Sequence, residues 1–294
     1  MPATETPNAA SAGTVHLGDL VVHRLGFGAM RLTGQGIWGP PKDRDAALKT
    51  LRRAVDLGVQ FIDTADSYGP NVSEEIIAEA LHPYPKGLVI ATKGGWERVG
   101  PAQWVHNASP RHLQQAIDGS LKRLKLERID VYQLHVPDPA VSFDASMETL
   151  VRAREQGKIR HIALSNVTLE HLHRALKHTP IVSVQNRYSF ADREWDFLLD
   201  FCEKNGIAFI PWAPLGQMRA AAHDLIEKFA KELNASPLQI ALAWLLRRSP
   251  VTLPIPGTSN PDHVEENVAA ASIKLPEAAF KQLDAVSPPP ASLR

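Results

Sequence analysis

Asp63, Tyr68, Lys93 and His135 are residue types that together can manage a proton at a carbonyl oxygen. A free phenol ionises near pH 10. A neighbouring ammonium favours the phenolate and lowers that value, so Lys93 is expected to activate Tyr68, with Asp63 keeping the lysine charged and in place. Tyr68 is then a usable general acid. His135 adds a second hydrogen bond to the same oxygen and fixes its orientation. Protonation is half of a carbonyl reduction. The other half is hydride, which no side chain supplies, so the pattern calls for a nicotinamide cofactor.

Other chemistries find less support. The 12 histidines are scattered. His171 and His173 stand two apart on a helical pattern, which turns them to different faces. Neither a GxSxG elbow nor a GxxxxGK[ST] loop is present. The run from Gly34 to Gly39 fits GxGxxG, but Pro40 and Pro41 follow where a helix is needed, so these read as loop glycines. Cys202 is the sole cysteine, which excludes an intrachain disulfide, and its amphipathic surroundings read as a core thiol. Lys93 taken alone also fits a Schiff-base lyase.

The elements that must hold these residues repeat eight times. Short apolar runs occupy 25–30, 60–65, 88–93, 129–135, 159–165, 181–186, 207–212 and 251–257. Amphipathic segments lie between them. Leu48, Leu51 and Val55 share a face over 45–57, as do Leu113, Ile117, Leu121 and Leu124 over 110–126. Ser73, Ser109-Pro110 and Ser236-Pro237 read as helix starts, and Gly58, Gly157 and Gly206 as stops. Alternation of this kind implies a parallel sheet. Eight units in about 250 residues predict a (β/α)8 TIM barrel, with an open doubly wound sheet as the alternative. A β-hairpin (Thr14–Leu17, Leu20–His23) precedes it and an extra helix over 276–286 follows.

The polar residues fall at the strand ends. The second run ends in Asp63 with Tyr68 just beyond, the third in Lys93, and the fourth in His135. Ser165-Asn166 and Gln185-Asn186 end the fifth and sixth, and Trp212 the seventh; the eighth leads into Gly257-Thr258-Ser259-Asn260. Parallel barrel strands bring these ends to one rim, where barrel enzymes place their chemistry. Trp38 in the first rim loop (31–42) and Trp96 and Trp104 in the third (94–110) are candidate substrate-binding residues, favouring a flat or aromatic aldehyde.

Bulk properties agree. The chain has 294 residues, 44% hydrophobic and 22% charged, in the range of globular proteins. Lys+Arg and Asp+Glu both count 32, so there is no electrostatic footprint for nucleic acid or anionic membrane. No apolar run is long enough to span a bilayer. Residues 1–13 lack a signal-peptide pattern and read as a disordered tail before one domain over 14–294. These features lead us to expect a cytoplasmic protein, a monomer or weak oligomer, whose partner is a small carbonyl compound.

The runs LGFGAM, FIDTADSYG, ATKGG, YQLH, IALSN, VQNRYS and IPGTSNPDHVEEN, in this order over 15–271, resemble the aldo-keto reductase superfamily. The segment from Arg24 to Arg44 looks most like a bacterial group that includes pyridoxal reductases. The resemblance implies a tetrad of Asp63, Tyr68, Lys93 and His135. It further implies that Ser165, Asn166 and Gln185 hold a nicotinamide carboxamide, and that Trp212, where many members carry Tyr, stacks on the ring with Pro214, Leu215 and Gly216 alongside. Gly257, Thr258, Ser259, His263, Glu266 and Asn267 would hold the adenosine phosphate end. Many NADPH-selective members carry Lys and Arg at the positions of Gly257 and His263. The cofactor expected is NADPH, with NADH possible. The resemblance also leaves a second rival, a cofactor-binding regulatory subunit, because the superfamily includes channel-associated β-subunits.

Overall fold

A computed structural model describes residues 6–214 and 220–286. Two strands form first, β1 (Thr14–Leu17) and β2 (Leu20–His23), paired antiparallel around Gly18-Asp19. The alternation then begins: β3 (Phe27–Gly28), α1 (Arg44–Asp56), β4 (Phe61–Asp63), α2 (Val72–Leu81) and β5 (Val89–Gly94). A second hairpin, β6 (Trp96–Gly100) with β7 (Gln103–His106), interrupts it before α3 (Pro110–Leu124). It resumes with β8 (Ile129–Leu134), α4 (Phe143–Glu155), β9 (Ile159–Ser165), α5 (Leu169–His178), β10 (Ile181–Arg187), α6 (Asp196–Lys204) and β11 (Ala208–Trp212). Four helices close the described chain: α7 (Ala220–Glu232), α8 (Pro237–Arg248), α9 (Pro261–Ala269) and α10 (Glu277–Val286).

Seven parallel strands stand in the order β11-β10-β9-β8-β5-β4-β3. The eighth stave, 251–257, joins the two ends of this sheet. Leu253 N–H donates to Phe209 O (2.8 Å) and Phe209 N–H to Val251 O (2.9 Å) on one side. On the other, Gly26 N–H donates to Pro254 O (2.9 Å) and Gly28 N–H to Pro256 O (3.4 Å). Proline has no N–H to return. The stave is therefore stitched to its β3 neighbour through its carbonyls alone, and regular strand pairing shrinks to a single bridge at Phe209 and Thr252. The seam is tight: a Cβ on Gly257 would lie 2.4 Å from Gly28 O, so only glycine fits.

Inward side chains from around the ring of staves, among them Phe61, Ala91, Val131, Ala163, Ala208 and Leu253, meet in one apolar cluster. Val15, Leu17 and Val22 of the first hairpin join it and plug the barrel at the N-terminal ends of the strands. Two larger clusters lie between the sheet and the surrounding helices. Ser109 and Ser236 cap α3 and α8 with proline following, as their spacing predicts.

Four expectations are corrected. The tail predicted over 1–13 is folded from Asn8 on: Asn8 caps a 3-10 turn at Ala9–Ala12, and the buried Ala9 donates its N–H to Leu57 O (2.9 Å). Small residues leave no hydrophobic signal, yet they fit closely against the end of α1. Ser73 does not cap α2; the helix opens after Asn71, and Ser73 is buried, bonded to Thr64 and Ala29 O. The first strand stops at Gly28, because Ala29–Leu32 turns into a 3-10 helix. The loop predicted over 94–110 contains a hairpin; β7 is mostly exposed, and the inward positions of β6 are taken by Arg98 and Gly100, so neither strand carries the apolar alternation of a half-buried one.

Candidate active site

Strand β5 carries Lys93 into the barrel, where its side chain is fully buried. A buried ammonium needs partners, and Lys93 Nζ has three. It donates to Asp63 Oδ2 (2.6 Å), Thr64 O (2.9 Å) and Tyr68 Oη (3.2 Å). Asp63 ends β4, which pairs with β5 in register Asp63 to Ala91, so adjacent staves bring the ion pair together. Tyr68 lies five residues further on, in the turn before α2, and is 6% exposed. His135 follows β8, and its ring meets the Tyr68 ring edge-on at 5.8 Å. The four residues named from the sequence thus converge.

Burial governs the proton affinities. It raises the Tyr68 phenol above its ordinary range, and the Lys93 charge only partly offsets this. The lowering expected from the Tyr–Lys pair is therefore outweighed by desolvation. Burial also opposes the Lys93 charge, but Asp63 and Tyr68 more than compensate, so Lys93 is held as an ammonium. His135 is pushed well below the usual imidazole range, first by burial and then by the Lys93 charge. Its ring is neutral at pH 7 and can donate one hydrogen bond without bringing a second charge.

Sequence reasoning passed over two partners. Gln133 Nε2 donates to Asp63 Oδ1 (2.8 Å), and Ser67 Oγ lies 3.4 Å from His135 Nδ1. Gln133 pairs with Lys93 across β5 and β8 and precedes His135 by two. Strand alternation would have turned it inward.

Around this centre lies a polar rim. Gln185 Nε2 donates to Asp63 Oδ1 (2.8 Å) and to Gln133 Oε1 (3.3 Å). Asn166, in a left-handed conformation (φ 54°), donates from Nδ2 to His135 O and Ser165 Oγ, both at 3.1 Å. Trp212 is half-buried at the end of β11, and Pro214 follows; Leu215 and Gly216 lie outside the described residues. Beyond the eighth stave, α9 opens after Asn260, which caps Asp262 N–H. Gly257 and Ser259 are exposed, and Thr258 Oγ1 lies 3.4 Å from Nδ1 of the exposed His263. Glu266 is half-buried on the same helix. Asn267 is buried, and its Oδ1 has no hydrogen-bond partner among the described residues.

The three tryptophans separate. Trp96 and Trp104 project from the β6–β7 hairpin, with ring centroids 6.4 and 6.5 Å from His135, and they meet edge-on at 5.9 Å. Trp38 bridges to Gly69, beside Tyr68, and lies against Arg98.

A sequence model described as the aldo/keto reductase family matches residues 24–288. An oxidoreductase of Schizosaccharomyces pombe is 48% identical over 96% of this chain and 92% of its own. A pyridoxine 4-dehydrogenase of Escherichia coli is 44% identical over 94% of this chain and 99% of its own. An aldo-keto reductase of Klebsiella pneumoniae, solved with NADPH, superposes with a TM-score of 0.80 at 27% identity, covering 95% of this chain and 96% of that one.

Proposed function

Because the chain belongs to the aldo/keto reductase family of NAD(P)-dependent oxidoreductases, we propose that it reduces aldehyde or ketone carbonyls to alcohols with NADPH, Tyr68 being the proton donor. The observation that carries this reading is the buried chain Asp63–Lys93–Tyr68, closed by the edge of His135. A substrate oxygen between Tyr68 and His135 meets one acid that can surrender its proton and one neutral imidazole that orients it.

The chemistry of the rim fits a nicotinamide cofactor, which supplies the hydride when bound. Both N–H groups of the Gln185 amide, and both of the Asn166 amide, are already donated within the protein. Each therefore has an acceptor oxygen left to offer, while the Ser165 hydroxyl can donate. Two acceptors and one donor complement a carboxamide. Trp212 offers a face for the ring. At the far end, the unpartnered Asn267 Oδ1 can accept from an adenine amino group, and the first turn of α9 presents N–H groups to a phosphate. Trp96 and Trp104 favour a flat, aromatic aldehyde, and the pyridoxine 4-dehydrogenase activity of the E. coli relative makes pyridoxal the first compound to try.

The Schiff-base alternative fits poorly. Lys93 is an ammonium with three acceptors, so it has no lone pair with which to attack a carbonyl. The test is NADPH consumption, followed by absorbance, over a panel of aldehydes that includes pyridoxal and a nitrobenzaldehyde. Turnover is expected. Cofactor binding without turnover on any carbonyl would instead mark a regulatory subunit.

A further inference from the structure

We propose that Arg98 is a positioning residue that sets the substrate-facing wall of the pocket, its guanidinium joining three loops of the rim into one unit. The inference rests on reading Tyr68 and His135 as the reacting end of the site.

Arg98 sits on β6, away from the tetrad, and is 9% exposed. A guanidinium has five N–H donors, and each one here meets a backbone carbonyl. Nε donates to Gln103 O (3.1 Å). Nη1 donates to Ile37 O (2.7 Å) and Ser67 O (2.9 Å). Nη2 donates to Gly36 O (2.9 Å) and Gly100 O (3.4 Å). Its Cζ lies over the Trp104 ring, 3.8 Å from the centroid, with the Trp38 ring centroid at 5.7 Å. None of the five acceptors is a carboxylate. This arrangement is not an ion pair, and its geometry belongs to the planar fork of arginine.

The three segments so joined are the ones that border the reacting end. Gly36 and Ile37 precede Trp38. Ser67 precedes Tyr68, and its hydroxyl lies 3.4 Å from His135 Nδ1. Gly100 and Gln103 form the turn of the hairpin that carries Trp96 and Trp104. A second observation points the same way. Ile37 is β-branched yet held at φ 56°, a left-handed conformation that costs energy for such a residue. Its carbonyl is fixed from two sides, by Arg98 Nη1 and by Gly69 N–H (3.3 Å). Strain of this kind persists only where the surroundings over-determine it, and Arg98 is the one side chain among the groups that hold Ile37 here, the others being backbone N–H and C=O groups of the loop.

The test uses Arg98→Met, Arg98→Lys and Arg98→Ala in the full-length protein. Arg98→Met is expected to lower kcat/KM for an aldehyde by about tenfold or more, since a wall misplaced by an ångström costs that much or more. NADPH affinity is expected to change less than about twofold, because the residues proposed to hold the cofactor lie on other staves; 1.4 kcal/mol would be needed for a factor of ten. Methylguanidinium is expected to restore part of the activity of Arg98→Ala. Arg98→Lys, which keeps the charge without the fork, should resemble Arg98→Met, and it also serves if the methionine variant fails to fold. Amide hydrogen exchange, which needs no substrate, should quicken at 36–39 and 67–69 as well as in the hairpin. Faster exchange in the hairpin alone, with kcat and KM unchanged, would overturn the proposal and leave Arg98 a local staple. If the wild-type protein reduces no carbonyl, the reductase reading fails, while the exchange pattern still decides whether the three loops are joined.

Discussion

At Tyr68 the Lys93 charge and the surrounding apolar environment act in opposite directions on one phenol, and burial prevails. The phenol therefore stays protonated, and in the proposed reaction the lysine would act by stabilising the phenolate that forms as the proton leaves. Tyr68→Phe keeps the ring and removes the proton. It is expected to lose about 10²–10⁴-fold in kcat, with NADPH binding, measured by fluorescence quenching, little changed. Lys93→Met should lose a similar amount, and the two losses should not add in the double variant. A near-normal kcat in Tyr68→Phe would move the donor role to His135. Asp66 allows an independent check of the electrostatics. Its carboxyl is buried, one oxygen has no hydrogen-bond partner among the described residues, and burial together with the Glu74 charge pushes its pKa up to about 8, against the pull of Arg123 and Lys93. The folded state thus holds a proton that the unfolded chain releases near pH 3.9. Asp66 costs stability as pH rises from about 4 to 8, by at most about 1.4 kcal/mol per pH unit, with no further change above that. Asp66→Asn imitates the protonated form. Its advantage in unfolding free energy over wild type should grow between pH 5 and pH 8, and an advantage independent of pH would show that Asp66 ionises normally.

Among the elements, α9 and the loop before it are the ones proposed to receive the phosphate end of the cofactor. The helix start offers N–H groups and a partial positive charge to any phosphate, but neither Gly257 nor His263 brings a fixed cation. We expect NADPH to be preferred over NADH by less than about 100-fold, the factor that roughly 3 kcal/mol of phosphate clamping would give. His263→Arg adds a bidentate cation at the first turn, next to Thr258 Oγ1, and should widen the preference. The ratio of kcat/KM for the two cofactors measures it. A wild-type preference for NADH would mean that this loop does not receive a 2′-phosphate at all.

On the scale of the whole molecule, the proposed cofactor residues are spread around the ring, on β9, β10, β11 and α9, and the eighth stave that closes the ring leads into the phosphate loop. A ligand touching all of them binds only the closed barrel. NADPH at about a hundred times its Kd should stabilise the fold by about 2.7 kcal/mol, an upward shift of several degrees at about 2–4 °C per kcal/mol. Thermal melts with and without NADPH measure this; no shift at saturating cofactor would argue against a site that spans the ring.

Much was legible from sequence because it depends on local order. Eight apolar runs separated by helical spacing set the alternation, and Ser-Pro pairs set the starts of α3 and α8. A parallel barrel then brings strand ends to one rim, which sufficed to gather Asp63, Tyr68, Lys93 and His135. What remained hidden depends on long-range contact. The seam of the eighth stave exists because prolines that cannot donate lie beside glycines that can. Alanine-rich residues 9–12 fold against surfaces that distant segments supply, the end of α1 among them. The Tyr68 phenol is raised rather than lowered because desolvation is a property of everything around it, not of its partner. Arg98, one charged residue among many in the sequence, finds its five carbonyls only when chain segments up to 62 residues apart are brought together.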